Sequence, residues 1–207
     1  MNRTHPRPAL WVSALMIFSS CASSFLGTAY KYDYGLQQST QSSVSGDTMR
    51  FEDSTILVTF KIDELNVNFD LLNKTGDTLT VEWEDARMNM GLDAQRVMHK
   101  GLKMNQKDKP RDPSKVAPHA RLVDFAYPAS NAYWTGDQYI SPTQFKFGKW
   151  EQRELFTKYD LKAESIRQMI MDNKGKRFTL ALPIASGGAA RPYVFEFVVK
   201  DVRPVVK

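Results

Sequence analysis

The sequence predicts a mainly β protein, an antiparallel β-sandwich that carries one short helix and a long aromatic loop. Apolar residues recur at every second position in several segments beyond Asp47, which is the pattern of strands with one buried and one solvated face. Turn sequences separate these segments, and short turns favour antiparallel sheets that stack over a shared core. With 207 residues, 42% of them hydrophobic, the chain is long enough to bury one core. We therefore expect a single sandwich domain over residues 49–207.

The first group of alternating segments is expected to contain a hairpin. Apolar residues alternate with more polar ones over 56–62 and again over 65–71. Residues 73–77, Asn-Lys-Thr-Gly-Asp, supply turn chemistry, and alternation resumes over 79–83. This order predicts that the strand before the turn pairs with the strand after it.

The second group lies at the other end of the domain. Residues 178–184 and 193–199 alternate, and Ser186-Gly187-Gly188 between them is typical of a tight turn. These features predict a second hairpin.

One helix is predicted over residues 162–174. Ile166, Met169 and Ile170 have helical spacing, and Gly175 is placed where a helix commonly ends. The rest of the domain is expected to be β-structure and loops.

The amino-terminal residues predict a signal peptide over residues 1–20. Arg3 and Arg7 make the start basic, and residues 9–18 form a nearly continuous apolar run. A helix needs about 20 apolar residues to cross a bilayer, so this run is too short to be a membrane span. We therefore expect export of the chain.

The apolar run ends in Phe18-Ser19-Ser20-Cys21, and this sequence resembles the lipobox of bacterial lipoproteins. The resemblance implies that Cys21 is acylated on sulfur with fatty acids and becomes the new amino terminus. It also implies transport to the outer membrane rather than retention at the inner one, because Ala22, not Asp, follows the cysteine. In the alternative, an ordinary signal peptidase cleaves after Ala22 or Ala29 and releases a soluble protein.

Residues 21–48 are predicted to be the lipidated amino terminus and a flexible tether. Fifteen of the residues in 22–48 are Ser, Thr, Gln or Gly, a composition that buries little apolar surface. Alternating aromatic residues over 30–34 leave open a short strand within this segment.

Three stretches of the domain, FDLLNKTGDTLTVEWE, RVMHKG and YVFEFVVKDV, resemble uncharacterised bacterial cell-envelope lipoproteins with an immunoglobulin-like β-sandwich. The resemblance covers residues 56–202 and rests on strand and turn patterns. It implies fold and location, and it identifies no functional residue.

Motifs of catalysis are missing from the sequence. It contains no GxSxG, no HExxH and no glycine-rich phosphate loop, and its single cysteine excludes an internal disulfide. We therefore expect no enzyme activity and no cofactor.

A methionine-rich stretch offers an alternative function. Met88, Met90, Met98 and His99 provide soft ligands of the kind that suit Cu(I), so the chain could handle exported copper. Methionine more often fills irregular gaps in a core, without any metal.

Basic residues are concentrated in residues 100–121, which we call the basic loop. This segment contains seven Lys and Arg residues and only two Asp residues, and Pro110, Pro113 and Pro118 favour a loop over a helix. Such a loop can contact anionic lipid, or it can simply be solvated. Nucleic acid is not expected as a partner of an exported domain.

Aromatic residues are concentrated in residues 125–150, which hold eight of the 24 in the chain. This long aromatic loop can bind a partner through exposed rings, for which Tyr133, Trp134 and Tyr139 are the candidates, or it can pack its rings on the domain. The sequence therefore predicts a membrane-anchored envelope lipoprotein that acts as a non-catalytic binding or assembly module. Its expected partners are the membrane, through the lipid, and another envelope protein or a glycan.

Overall fold

The computed structural model describes residues 27–37, 48–91 and 93–205, and within these ranges the protein is mainly β, with antiparallel strand pairing. The strands are β1 Tyr30–Leu36, β2 Thr48–Glu52, β3 Ile56–Ile62, β4 Val67–Asn73, β5 Leu79–Val81, β6 Arg87–Asn89, β7 Ala94–Met98, β8 Ser114–Val116, β9 Arg121–Pro128, β10 Ala132–Trp134, β11 Gln138–Ser141, β12 Gln144–Lys146, β13 Trp150–Gln152, β14 Arg177–Ser186 and β15 Ala189–Pro204. Helix α1 is Glu164–Met171, and short 3-10 helices lie at Met104–Gln106 and Ala129–Asn131. The predicted signal peptide (residues 1–20) and Cys21 lie outside the described residues.

Eleven strands form one sheet in the order β1-β15-β14-β6-β7-β9-β4-β3-β2, with β5 paired to β14 and to β8. Among the described residues, strand pairing joins its two halves where β7 meets β9, through the pairs Val97↔Pro128 and Met98↔Tyr127. We call the whole sheet the curled sheet, because side chains of its two halves meet across the core. Strands β10–β13 and β11–β12 form two further pairs outside it.

The core lies between the two halves of the curled sheet. Phe60 of β3 contacts Phe195 and Phe197 of β15, with ring centroids 4.7 and 5.2 Å apart. Phe69 of β4 likewise lies 6.2 Å from Trp83. All five side chains are buried, and full burial of one such side chain stabilises a fold by about 1.5–3 kcal/mol.

The second predicted hairpin is confirmed. Strands β14 and β15 pair from Arg177↔Val198 to Ser186↔Ala189. Gly187 and Gly188 make the turn with φ of 59° and 89°, in the left-handed region that glycine adopts without strain.

The first predicted hairpin is wrong in its pairing. Strand β4 pairs with β3 and β9, whereas β5 pairs with β14 and β8. The physical reason is the buried side chain of Asn73. Its Nδ2 donates to the carbonyl oxygens of Asp77, Val116 and Ala117 at 2.7, 3.1 and 3.0 Å. These bonds fix a turn that carries the chain from one half of the sheet to the other.

Strand β1 lies inside the segment 21–48 for which a tether is predicted. It pairs with β15 from Tyr30↔Pro204 to Leu36↔Phe197, and both Tyr30 and Leu36 are buried. For these residues the structure therefore has the strand that the alternating aromatic residues left open.

The predicted helix is confirmed within residues 162–174. Helix α1 covers Glu164–Met171, and Gly175 follows with a φ of 84°. Ile170 is fully buried beside Val199 and Val202 of β15. The helix thus packs against the carboxy-terminal part of β15, the longest strand described.

Candidate functional site

The predicted long aromatic loop is in large part a strand-paired projection. Strands β10 and β13 pair from Ala132↔Gln152 to Trp134↔Trp150, and β11 and β12 pair beyond them. Neither pair belongs to the curled sheet. We call residues 132–152 the aromatic hairpin.

Polar contacts hold the middle of the aromatic hairpin together. The Thr135 amide donates to the Lys149 carbonyl oxygen at 2.9 Å, and the Lys149 amide donates back to Thr135 Oγ1 at 2.9 Å. Asp137 Oδ1 accepts from the Gly148 amide at 2.7 Å. Gly148 has to be glycine here, since a Cβ would lie 2.6 Å from the Trp134 ring. The hairpin is therefore held by its own hydrogen bonds, and the Trp134 ring packs closely on Gly148.

Large apolar side chains of the aromatic hairpin face solvent. The exposed fractions are 85% for Tyr139, 77% for Phe147, 62% for Ile140 and 49% for Trp134. Tyr139, Phe145 and Phe147 contact one another edge to face, with centroids 4.9 and 4.7 Å apart. Tyr139, Phe145 and Phe147 thus form one cluster of exposed rings, and such exposed patches mark interaction sites.

Tyr133 differs from the other two predicted residues, because it is held inside the hairpin. Its hydroxyl donates to Glu151 Oε2 at 2.9 Å, and the Arg153 guanidinium lies 4.8 Å from its ring centroid. The bond to Glu151 raises the pKa of the Tyr133 hydroxyl. Bonds from Lys149 and then Tyr133 lower the pKa of the Glu151 carboxyl. Tyr133 thus braces the base of the surface.

Of the predicted contact residues, Trp134 and Tyr139 face solvent, and Tyr133 is half-buried. Sequence reasoning missed Ile140, Phe145 and Phe147. Phe145 and Phe147 are separated by one residue, Lys146, and this spacing predicts that both rings lie on the same face of a strand. Nothing in the sequence, however, marks that face as solvated.

Two of the four candidate copper ligands lie deep in the core. Met88 and Met98 are completely buried among apolar side chains, and Met90 packs against the same cluster. Such packing is typical of methionines that fill irregular gaps in a hydrophobic core.

The fourth candidate, His99, is buried and engaged on two sides. Its ring stacks on Trp83 with centroids 4.1 Å apart and planes 3° from parallel. Its Nδ1 accepts from the Gly101 amide at 3.3 Å and lies 3.5 Å from Asp124 Oδ2. The imidazole therefore serves as a packed core group.

The basic loop is organised by a buried arginine and touches the aromatic hairpin. Arg111 donates from Nε to the Val97 carbonyl oxygen and from Nη2 to that of Lys107, both at 2.8 Å. Lys107 Nζ in turn donates to the carbonyl oxygen of Ala132 at 3.1 Å. The structure thus brings the two sequence features, basic and aromatic, side by side.

A concavity of about 300 Å³ lies beside β1. Tyr32 stacks there on Phe156, with centroids 5.4 Å apart, and Tyr34 lies 6.3 Å from Tyr32. The charged groups Glu64 and Lys158 at its rim form an ion pair with each other. The concavity is thus lined mainly by rings, and it lies between β1, residues 62–64 and residues 156–158.

Within residues 27–37, 48–91 and 93–205, no helix is long and apolar enough to cross a membrane. The same ranges hold no group of three or more His, Cys, Asp or Glu side chains placed to bind a metal ion. Comparison of the chain with models of protein families, with curated proteins and with solved structures gives no match. Functional argument therefore rests on the geometry of this chain.

Proposed function

We propose that this protein is a bacterial envelope lipoprotein, held by lipid on Cys21, whose β domain is a non-catalytic binding or assembly module. The observation that carries the proposal is the aromatic hairpin. Its apolar side chains stand in water outside the curled sheet, although the core of the domain buries rings of the same kind. Leaving so much apolar surface solvated is unfavourable unless something covers it in use.

The proposed fold type is an immunoglobulin-like sandwich. Its support is the meeting of rings from β3 and β15 across the core, since the two halves of the curled sheet then act as facing layers. The proposed address is the outer membrane, supported by the lipobox-like sequence and by Ala22 after the cysteine.

The anchor is tested by Cys21→Ala. This variant is expected to lose metabolic fatty-acid label and to leave the membrane fraction. Two or more acyl chains hold a protein stably on a bilayer, and a protein without acyl chains lacks this anchor. Ser23→Ala, two residues away, is the matched control and should keep both label and location. Full labelling of Cys21→Ala would contradict the proposal.

The contact surface is tested in the same cells by crosslinking. A Trp134→Ala/Tyr139→Ala/Phe147→Ala variant should keep its lipid and its fold but lose adducts to neighbouring envelope components. Tyr133 is left unchanged, because its bond to Glu151 braces the hairpin. Adducts identical to those of the wild-type chain would show that the hairpin is not the contact surface.

A further inference from the structure

We propose that the aromatic hairpin lies in the interfacial layer of the same bilayer that holds the Cys21 lipid, so that the protein meets this membrane at two points. The inference rests on the proposed function, because it takes Cys21 as the first point of attachment. It names the occupant of the exposed ring surface as lipid headgroups and upper acyl chains.

The first step is the length of chain between the anchor and the domain. Gly27 follows Cys21 by six residues, which span at most about 22 Å when fully extended. Gly27 is fixed to the domain, since a Cβ on it would lie 2.1 Å from Asp160 Oδ1. The next amide, that of Thr28, donates to the same oxygen at 2.9 Å. A lipid on Cys21 therefore keeps this end of the domain close to the bilayer.

The second step is that the aromatic hairpin starts from this same end. The Tyr30 amide donates to the Lys158 carbonyl oxygen at 2.9 Å, and the Lys158 side chain forms an ion pair with Glu64. The Glu64 carbonyl oxygen accepts from the amide of Leu155 at 2.8 Å.

The path continues from Glu64 into the base of the hairpin. Gln152, the last residue of β13, donates from Nε2 to the Leu65 carbonyl oxygen at 2.9 Å and to Asn66 Oδ1 at 3.1 Å. A short run of direct contacts thus joins Tyr30, three residues after Gly27, to the base of the hairpin. The base of the hairpin therefore lies near the end of the domain that follows the anchor.

The third step is the chemistry of the surface. Residues 138–145, Gln-Tyr-Ile-Ser-Pro-Thr-Gln-Phe, contain no charged side chain, and the nearest acid, Asp137, is bonded to the Gly148 amide. Tyr and Trp side chains favour the headgroup level of a bilayer, because each has an apolar body and a polar tip. Lys146 lies between Phe145 and Phe147, where it can contact lipid phosphate while the rings insert.

Basic residues beside the hairpin fit the same occupant. Lys103 and Met104 border a groove with Trp150, and Lys107 is bonded to Ala132 at the start of β10. The basic loop therefore adds positive charge beside the base of the hairpin, and the uncharged tip lies beyond it. Apolar rings flanked by lysines are complementary to an anionic lipid surface.

The test uses native tryptophan fluorescence of the acylated full chain in vesicles of phosphatidylethanolamine and phosphatidylglycerol that carry brominated acyl chains. Bromine quenches a nearby indole, so Trp134 reports contact. We expect quenching in the wild-type protein and its loss in Trp134→Phe, which identifies the reporting ring. Tyr139→Asp/Phe147→Asp should also lose it, because charged side chains keep the hairpin out of lipid.

The matched control is Val194→Asp. Val194 is also an exposed apolar residue. The hydroxyl of its neighbour Tyr193 donates to Asp53, which lies before the start of β3, whereas Glu64 and the contacts to the hairpin base lie after the end of β3. This variant should keep the quenching. If the double variant fails to fold by circular dichroism, Tyr139→Asp alone replaces it, since Tyr139 is largely exposed and its ring contacts Phe145 of the same hairpin.

Mass spectrometry of the same samples separates the two proposals. An acyl group on Cys21 with no Trp134-dependent quenching overturns the second membrane contact and leaves the anchor standing. No acyl group overturns both. A photo-crosslinker at position 139 should give lipid adducts, and adducts to a protein alone would overturn the lipid assignment.

Discussion

The curled sheet and the aromatic hairpin use the same side chains in opposite ways. In the curled sheet, Trp83 is fully buried, stacks on His99 and donates from Nε1 to Ser114 Oγ at 2.8 Å. In the aromatic hairpin, Trp134 is half in solvent and lies 6.0 Å from Trp150. The first ring is held by packing on every side, and the second is positioned by a small two-stranded ladder. The difference teaches that ring content alone does not distinguish a core from a contact surface.

The largest effect that would test this contrast is at Trp83. Trp83→Ala should lower the free energy of unfolding by about 3–5 kcal/mol, because it leaves a cavity and an unpaired Ser114 hydroxyl. Urea unfolding followed by circular dichroism measures the change. A loss below about 1 kcal/mol would mean that the core is not organised around this ring.

A smaller effect concerns a tyrosine at the edge of the core. Burial, followed by the charges of Tyr32, Asp63 and Glu64, raises the pKa of the Tyr34 hydroxyl above its ordinary value. Unfolding returns this hydroxyl to water, where it ionises near pH 10, so its contribution to stability is complete below pH 10 and is lost as pH rises further.

The measurable consequence is a slope of stability against pH. Tyr34→Phe should reduce the alkaline loss of stability, by up to about 1.4 kcal/mol per pH unit above pH 10. Urea titrations at pH 9, 10 and 11 would measure it, with Tyr139→Phe as the control because that ring is solvated in the folded state. Identical slopes in wild-type and Tyr34→Phe proteins would contradict the effect of burial.

The smallest effect is expected in the aromatic hairpin. Tyr139→Ala should change the free energy of unfolding by less than about 0.5 kcal/mol, because the ring is largely exposed and contacts Phe145 of the same hairpin. The same urea titration measures it. A loss comparable to that at Trp83 would remove the contrast between the two regions.

Five strands of the curled sheet, β3, β4, β5, β14 and β15, could be predicted from alternation, and the reason is local. Strands such as β3 and β4 bury every second residue, so the period of two is written directly into the sequence. The β14–β15 hairpin could be predicted as well, because its two glycines adopt backbone angles that other residues avoid.

Pairing between distant strands could not be predicted in the same way. The turn after β4 has hairpin chemistry. The side-chain amide of Asn73, however, donates to the backbone carbonyl oxygens of Val116 and Ala117, which lie more than 40 residues further along the chain. Alternating aromatic residues left strand β1 open as a possibility, but its pairing could not be predicted, for a similar reason. Its neighbours in sequence are polar, and its burial depends on β15 at the other end of the described chain.

The candidate site was found only in part. Trp134 and Tyr139 could be singled out by residue type, whereas Phe145 and Phe147 follow a strand-like alternation that a core strand would also show. Whether such a strand is buried depends on the tertiary structure around it. Here β11 and β12 pair only with each other, so the face that alternation marks stays in solvent.

The pairing of Tyr30 with Pro204 sets the order of events when the chain folds during its synthesis. Strand β1 is made before the other described strands, yet its ladder cannot be completed until residue 204 has been made, because β15 ends there. During that interval the unpaired edge of β1 is open to unwanted pairing. Chaperones that shield unpaired strands would therefore act on this protein until β15 has been made.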